Sequence, residues 1–100
     1  MKFILRGEIN FNLKVMLGRL GYHASREARP GEQSFIRRLG RLDYPRYHLY
    51  VTLRGHEVHI NLHLDQKQPS YAGTNRHAGI YNGPELDQEL NRILQYFNQP

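Results

Sequence analysis

Cysteine is absent from the chain. That excludes disulfides and thiolate sites, so any metal centre here has to be built from His and carboxylates. Long apolar runs are missing too. The N-terminus, Met1-Lys2-Phe3-Ile4-Leu5-Arg6, has three consecutive apolar residues before charge resumes, short of the roughly 7 to 15 of a signal peptide's apolar region. No stretch approaches the ~20 residues of a membrane helix. The expectation is a soluble, cytoplasmic protein that makes no use of a membrane. Acidic residues are scarce, nine against fourteen Lys and Arg, for a net charge of +5 and a pI near 9.8. The imbalance is concentrated in residues 1–55, where eleven basic residues face four acidic ones. Such a basic half suits a polyanionic partner, most simply nucleic acid.

What the chain does have is one conspicuous pair of alternating runs, Tyr47 to Leu53 and Glu57 to Asp65, joined by Arg54-Gly55-His56. Tyr47, Leu49, Val51 and Leu53 share one face of the first run, and Val58, Ile60, Leu62 and Leu64 share one face of the second; the period of two predicts a hairpin with a core side. The other side carries Arg46, His48, Tyr50, Thr52 and Arg54 opposite Glu57, His59, Asn61, His63 and Asp65. Solvated sheet faces are usually plainer, so this face is the candidate working surface.

The remainder supports that hairpin. Lys2 to Ile9 alternates as a half-buried strand, with Lys2 and Arg6 on its polar side. Asn10 or Asn12 can cap a helix whose Leu13, Met16, Leu17 and Leu20 keep helical spacing, and Gly21 offers the left-handed stop. Residues 22–32 are polar and Arg-rich. Gln33 to Leu39 predicts a strand around Phe35 and Ile36, on which Arg37 and Arg38 must project to opposite faces. Residues 66–83 have loop chemistry throughout, a length that in compact domains belongs to binding loops or disorder. Pro84 opens a closing helix in which Leu86, Leu90, Ile93, Leu94 and Phe97 form the apolar stripe, with Glu85, Asp87 and Glu89 assigned to the helix dipole and to solvent.

The 100 residues therefore read as a single α+β domain in two layers: strand, helix, three strands, helix. Both helices pack on one face of a four-stranded mixed sheet, which leaves the His-rich face uncovered.

Three functions fit that face. For nucleic-acid binding, with RNA the favoured ligand, Arg46, His48, Tyr50, Arg54, His59, Asn61, Lys67, Arg37 and Arg38 are the candidate residues, the rings stacking on bases and the cations neutralising phosphates. For phosphodiester cleavage, as in a ribonuclease, His63 is the acid or base and Asp65 its orienting carboxylate. A metal could assist, because residues i and i+2 of a strand are close enough to share an ion; His63 and Asp65 are the pair, with His77 delivered by the loop and His48 across the ladder. Zinc or another divalent metal is the optional cofactor. The third function is a protein-interaction or homodimer module whose partner covers the face.

The helix ending Leu20-Gly21-Tyr22, the strand at Phe35 and the helix after Pro84 are similar in layout to double-stranded-RNA-binding domains and to HicA-type toxins, which are small ribonucleases. The toxin family's catalytic His follows a glycine closely; here the run is Gly31-Glu32-Gln33-Ser34-Phe35, so that activity does not carry over. Leu62-His63-Leu64-Asp65-Gln66-Lys67, His77-Ala78-Gly79-Ile80-Tyr81-Asn82-Gly83 and Arg37-Arg38-Leu39 resemble small uncharacterised proteins of candidate-phyla-radiation bacteria. That likeness implies a folded bacterial family and no particular activity.

Overall fold

The two alternating runs form the centre of the sheet in a computed structural model, which describes residues 1–6, 12–66, 79–80 and 82–98. The strands are β1 (Lys2–Arg6), β2 (His23–Ser25), β3 (Gln33–Arg38), β4 (Arg46–Arg54), β5 (Glu57–Asp65) and β6 (Gly79–Ile80); the helices are α1 (Leu13–Arg19) and α2 (Pro84–Phe97). Gly55 makes the two-residue β4–β5 loop possible. Its φ of +61° is the conformation a tight hairpin turn requires at its first central residue, and glycine adopts it without steric cost.

Strand order is β1-β5-β4-β3-β2, with β6 also pairing β5, and every pairing is antiparallel. The expectation of four strands in a mixed sheet is therefore corrected. His23-Ala24-Ser25 adds a strand inside the segment read as polar, and β6 lies in the span read as loop. The added strand changes parity. After a helical crossover the next strand runs parallel to β1; a three-strand meander would then end parallel to β1, whereas the four-strand meander β2 to β5 ends antiparallel to it. The β1 edge pairing, Lys2 with Asn61 through Arg6 with Glu57, shows the second outcome.

Short-range chemistry sets the helix ends. The Asn12 side chain accepts from the backbone N–H groups of Lys14 and Val15 at 3.1 and 3.4 Å, capping α1. At the other end Gly21, with φ +98°, reverses the chain so that Tyr22 N–H donates to Leu17 O at 2.9 Å. Both helices pack on the face of Leu49, Val51, Ile60 and Leu62, burying Leu17, Leu86 and Ile93 completely. Each such aliphatic side chain contributes roughly 1.5–3 kcal/mol by leaving water.

One helix carboxylate departs from expectation. Glu89, assigned above to solvent, is 3 % exposed. It accepts from Arg37 Nε and an Arg37 terminal nitrogen at 3.1 Å each, from Arg92 Nε at 2.7 Å and from the Tyr22 hydroxyl at 2.5 Å. This pins α2 to β3 and to the end of α1. No helix among the described residues is long and apolar enough to cross a membrane.

Candidate functional site

Antiparallel register assembles the polar face residue by residue, because directly opposed residues point the same way. His48 lies opposite His63, Tyr50 opposite Asn61, Thr52 opposite His59 and Arg46 opposite Asp65. From the next strand Ser34 sits opposite Tyr50 and Ile36 opposite His48; from the far edge Lys2, Ile4 and Arg6 sit opposite Asn61, His59 and Glu57.

This face is not uniformly open, a second correction. Where β4 begins, Arg46, His48 and His63 are buried, His48 to 1 % exposure. The cover comes partly from residues 26–32, the β2–β3 connection. Both Glu27 carboxylate oxygens accept from one Arg46 terminal nitrogen at 3.0 Å. Tyr50 stacks on the His48 ring, with centroids 4.2 Å apart and planes at 27°.

At the centre of the buried end is Asp65. His48 Nδ1 is 3.0 Å from its Oδ2, His63 Nε2 is 2.9 Å from its Oδ1, and Arg46 Nε donates to Oδ2 at 3.2 Å. On the far side of the His48 ring, Nε2 is 2.6 Å from Ser34 Oγ. Burial by itself would raise the Asp65 carboxyl, but the hydrogen bonds from His48 and His63 outweigh it and hold the group well below the ordinary carboxylate range. An ionised carboxylate only accepts, so both facing ring nitrogens carry hydrogens; in the uncharged form of His48, Nε2 then accepts the Ser34 hydroxyl. The three donor groups of His48, His63 and Asp65 lie within 4.8 Å of one another.

Beside this cluster the face opens into a cleft of about 980 Å³. Tyr50, Asn61 and His59 form its floor, Glu27, Arg29 and Glu32 one wall, and Lys2, Ile4 and Arg6 of β1 the other, with Arg54 at one end and His63 bordering the buried cluster. The acids on this wall are engaged: Glu27 holds Arg46, and Glu32 accepts from the Arg29 backbone N–H at 3.2 Å. Burial, followed by the carboxylates of Asp65 and Glu27, pushes the Tyr50 hydroxyl up to about 12, so it stays a neutral donor and acceptor.

The predicted residues thus divide. Tyr50, Arg54, His59 and Asn61 border the cleft, where His59 Nε2 is 2.9 Å from Glu57. Arg46 and His48 lie in the buried cluster with His63, which also borders the cleft, and the half-buried Asp65. Arg38 is exposed and paired with Asp43 at 3.0 Å. Arg37 has to be removed from this surface, because it opposes Tyr47 on the helix side and is held by Glu89. Lys67 and His77 lie outside the described residues. Ser34 and Glu27 escaped sequence reasoning; the only signal was that Ser34 precedes the inward-facing Phe35 and so shares a face with Ile36. No family model, no curated protein and no solved structure matches this chain.

Proposed function

We propose that the cleft binds a single-stranded nucleic acid segment, with RNA the favoured form. The observation carrying this reading is that Lys2, Arg6, Arg29 and Arg54 border one cleft whose floor presents the Tyr50 ring and the Asn61 amide. Cations at a rim neutralise phosphates, while an aromatic ring and an amide inside can stack on and hydrogen-bond to a base. A concave site of this volume suits splayed-out bases, which a duplex does not offer. Of the two acids on the wall, Glu27 shares the Arg46 charge with Asp65, and this partly offsets its repulsion of phosphate.

Cleavage by His63 and Asp65 has less support. His63 Nε2 is turned to Asp65 and Nδ1 is buried, so neither nitrogen is presented to a phosphodiester in the cleft.

The test is fluorescence anisotropy of short labelled single strands and duplexes across a salt series. Arg6 is held by Glu57 at 3.0 Å, which leaves Lys2, Arg29 and Arg54 for phosphate. Affinity for single strands should therefore fall linearly in log salt with a slope near −2, as three contacts at ~0.7 each require. Absence of binding at low salt, together with migration at twice the chain's mass in gel filtration, would transfer the face to a second copy of the protein.

A further inference from the structure

We infer that His48, His63 and Asp65 bind one divalent first-row transition metal ion of the zinc or cobalt type. The inference is independent of nucleic-acid binding and starts from the register. Two imidazoles on directly opposed residues, and a carboxylate two positions along one of the strands, put three ligands on one face of the two central strands.

Two of the distances approach those of a coordination sphere; the three ligand atoms lie within 4.8 Å of one another and close to about 4.2 Å or less around a common ion. Ligands at ~2.1 Å from a common ion stand about 3.0 Å apart in octahedral and about 3.4 Å apart in tetrahedral geometry. Asp65 Oδ2 is 3.0 Å from His48 Nδ1, and Asp65 Oδ1 is 2.9 Å from His63 Nε2. Each imidazole aims one nitrogen at the same carboxylate. Two nitrogens and one oxygen are the ligand types that zinc, cobalt, iron and nickel share, and three protein ligands leave further positions for water.

The surroundings support an ion as well. A ligating imidazole normally has its other nitrogen anchored, and Ser34 does this for His48 at 2.6 Å. Ion entry requires a lone pair at His48 Nδ1 and at His63 Nε2, so the ring hydrogen of His63 moves to its Nδ1 and that of His48 to Nε2, where the Ser34 bond reverses; a hydroxyl can donate or accept, so Ser34 serves both forms of His48. The charge is also favourable. Asp65 and Glu27 carry two negative charges against the single positive charge of Arg46, with which both are bonded. Buried packing alone would be met by apolar side chains without desolvating two imidazoles, a carboxylate and a guanidinium.

The experiment titrates ZnCl2 and CoCl2 separately into chelator-treated full-length protein, with calorimetry for both and visible absorption for cobalt. One ion per chain is expected, with His48→Gln, His63→Gln and Asp65→Asn each lowering affinity at least 100-fold while His23→Gln and His56→Gln leave it unchanged. Asp65→Asn also removes the negative charge opposite Arg46 and so affects stability as well as binding; Ser34→Ala leaves all three ligands and that charge in place and should cost 10- to 100-fold. Circular dichroism establishes folding for every variant. No binding of either ion at millimolar concentration, or binding that survives in folded His48→Gln and His63→Gln, overturns the inference. Nucleic acid is absent throughout, so failure here is separate from failure of the cleft to bind RNA.

Discussion

The Tyr22 hydroxyl donates to Glu89 at 2.5 Å across 67 residues of chain, joining the segment that leaves α1 to the middle of α2. Arg37 and Arg92 bond the same carboxylate, so one buried acid holds two guanidiniums and a phenol. Glu89→Ala should therefore cost about 2–3 kcal/mol in urea denaturation. Fully buried pairs lose about 3–5 kcal/mol when one partner is removed, and the figure is reduced because Arg37 and Arg92 reach solvent. A loss under 0.5 kcal/mol would mean that the cluster holds nothing together.

The same carboxylate sets a pH dependence. Burial raises Glu89, but the hydrogen bonds from Arg92, Tyr22 and Arg37 prevail and its folded value lies below the ordinary one. A depressed acid contributes stability above the unfolded value, about 4.3, and loses it as pH falls through the folded value. Stability should be level in pH from about 5 to 7 as far as Glu89 is concerned and decline below about 4. In Glu89→Gln, denaturant midpoints should decline less steeply over the acid range, with Asp65 sustaining what slope is left. An identical acid limb in the variant would exclude this carboxylate as a source.

Arg54 stands at one end of the cleft, and no ion pair of its side chain occurs among the described residues. Arg54→Ala should lower the magnitude of the salt slope for single-stranded RNA by about 0.7, the amount for one phosphate contact. Arg38→Ala, on the same sheet face but outside the cleft and paired with Asp43, should leave the slope as it was. Equal effects from the two would indicate diffuse attraction by net charge.

Gly21 turns the chain out of α1 at φ +98°, and a Cβ there would stand 3.0 Å from Arg37 Cδ. Gly21→Ala combines backbone strain with displacement of a side chain fixed by Glu89. Thermal unfolding should report a loss of about 1–3 kcal/mol. Gly40→Ala, where a Cβ meets nothing within 4 Å, should be near neutral.

Hairpin β4–β5 and helix α2 were legible because a long periodic pattern of apolar residues fixes element type and face together. The three-residue β2 was not. His23, Ala24 and Ser25 include no β-branched or aromatic residue, and hydrogen bonding to β3 alone makes them a strand. Missing it also reversed the predicted direction of β1 relative to β5. Glu89 was misplaced for a related reason: an acid on an amphipathic helix defaults to water, and two of its partners, Tyr22 and Arg37, come from elsewhere in the chain. At the site, alternation gave the correct residues on the polar face, and i, i+2 spacing gave the pairing of His63 with Asp65. It could not show which end is covered. The cover includes an aperiodic connection, residues 26–32, whose path is set by Glu27 finding Arg46.

Strand β1 pairs with a partner almost sixty residues away, Lys2 with Asn61, while β2 to β5 join through successive local turns. Closing so long a loop costs entropy before any contact repays it, so β1 should dock after the meander has formed. It is also an edge strand, and Lys2, Ile4 and Arg6 on its cleft side are exposed. Its amides should exchange with solvent deuterium sooner than those of β4, through local detachment that leaves the other strands paired. Because those three side chains build one wall of the cleft, the binding surface has a wall that can leave while its floor remains folded.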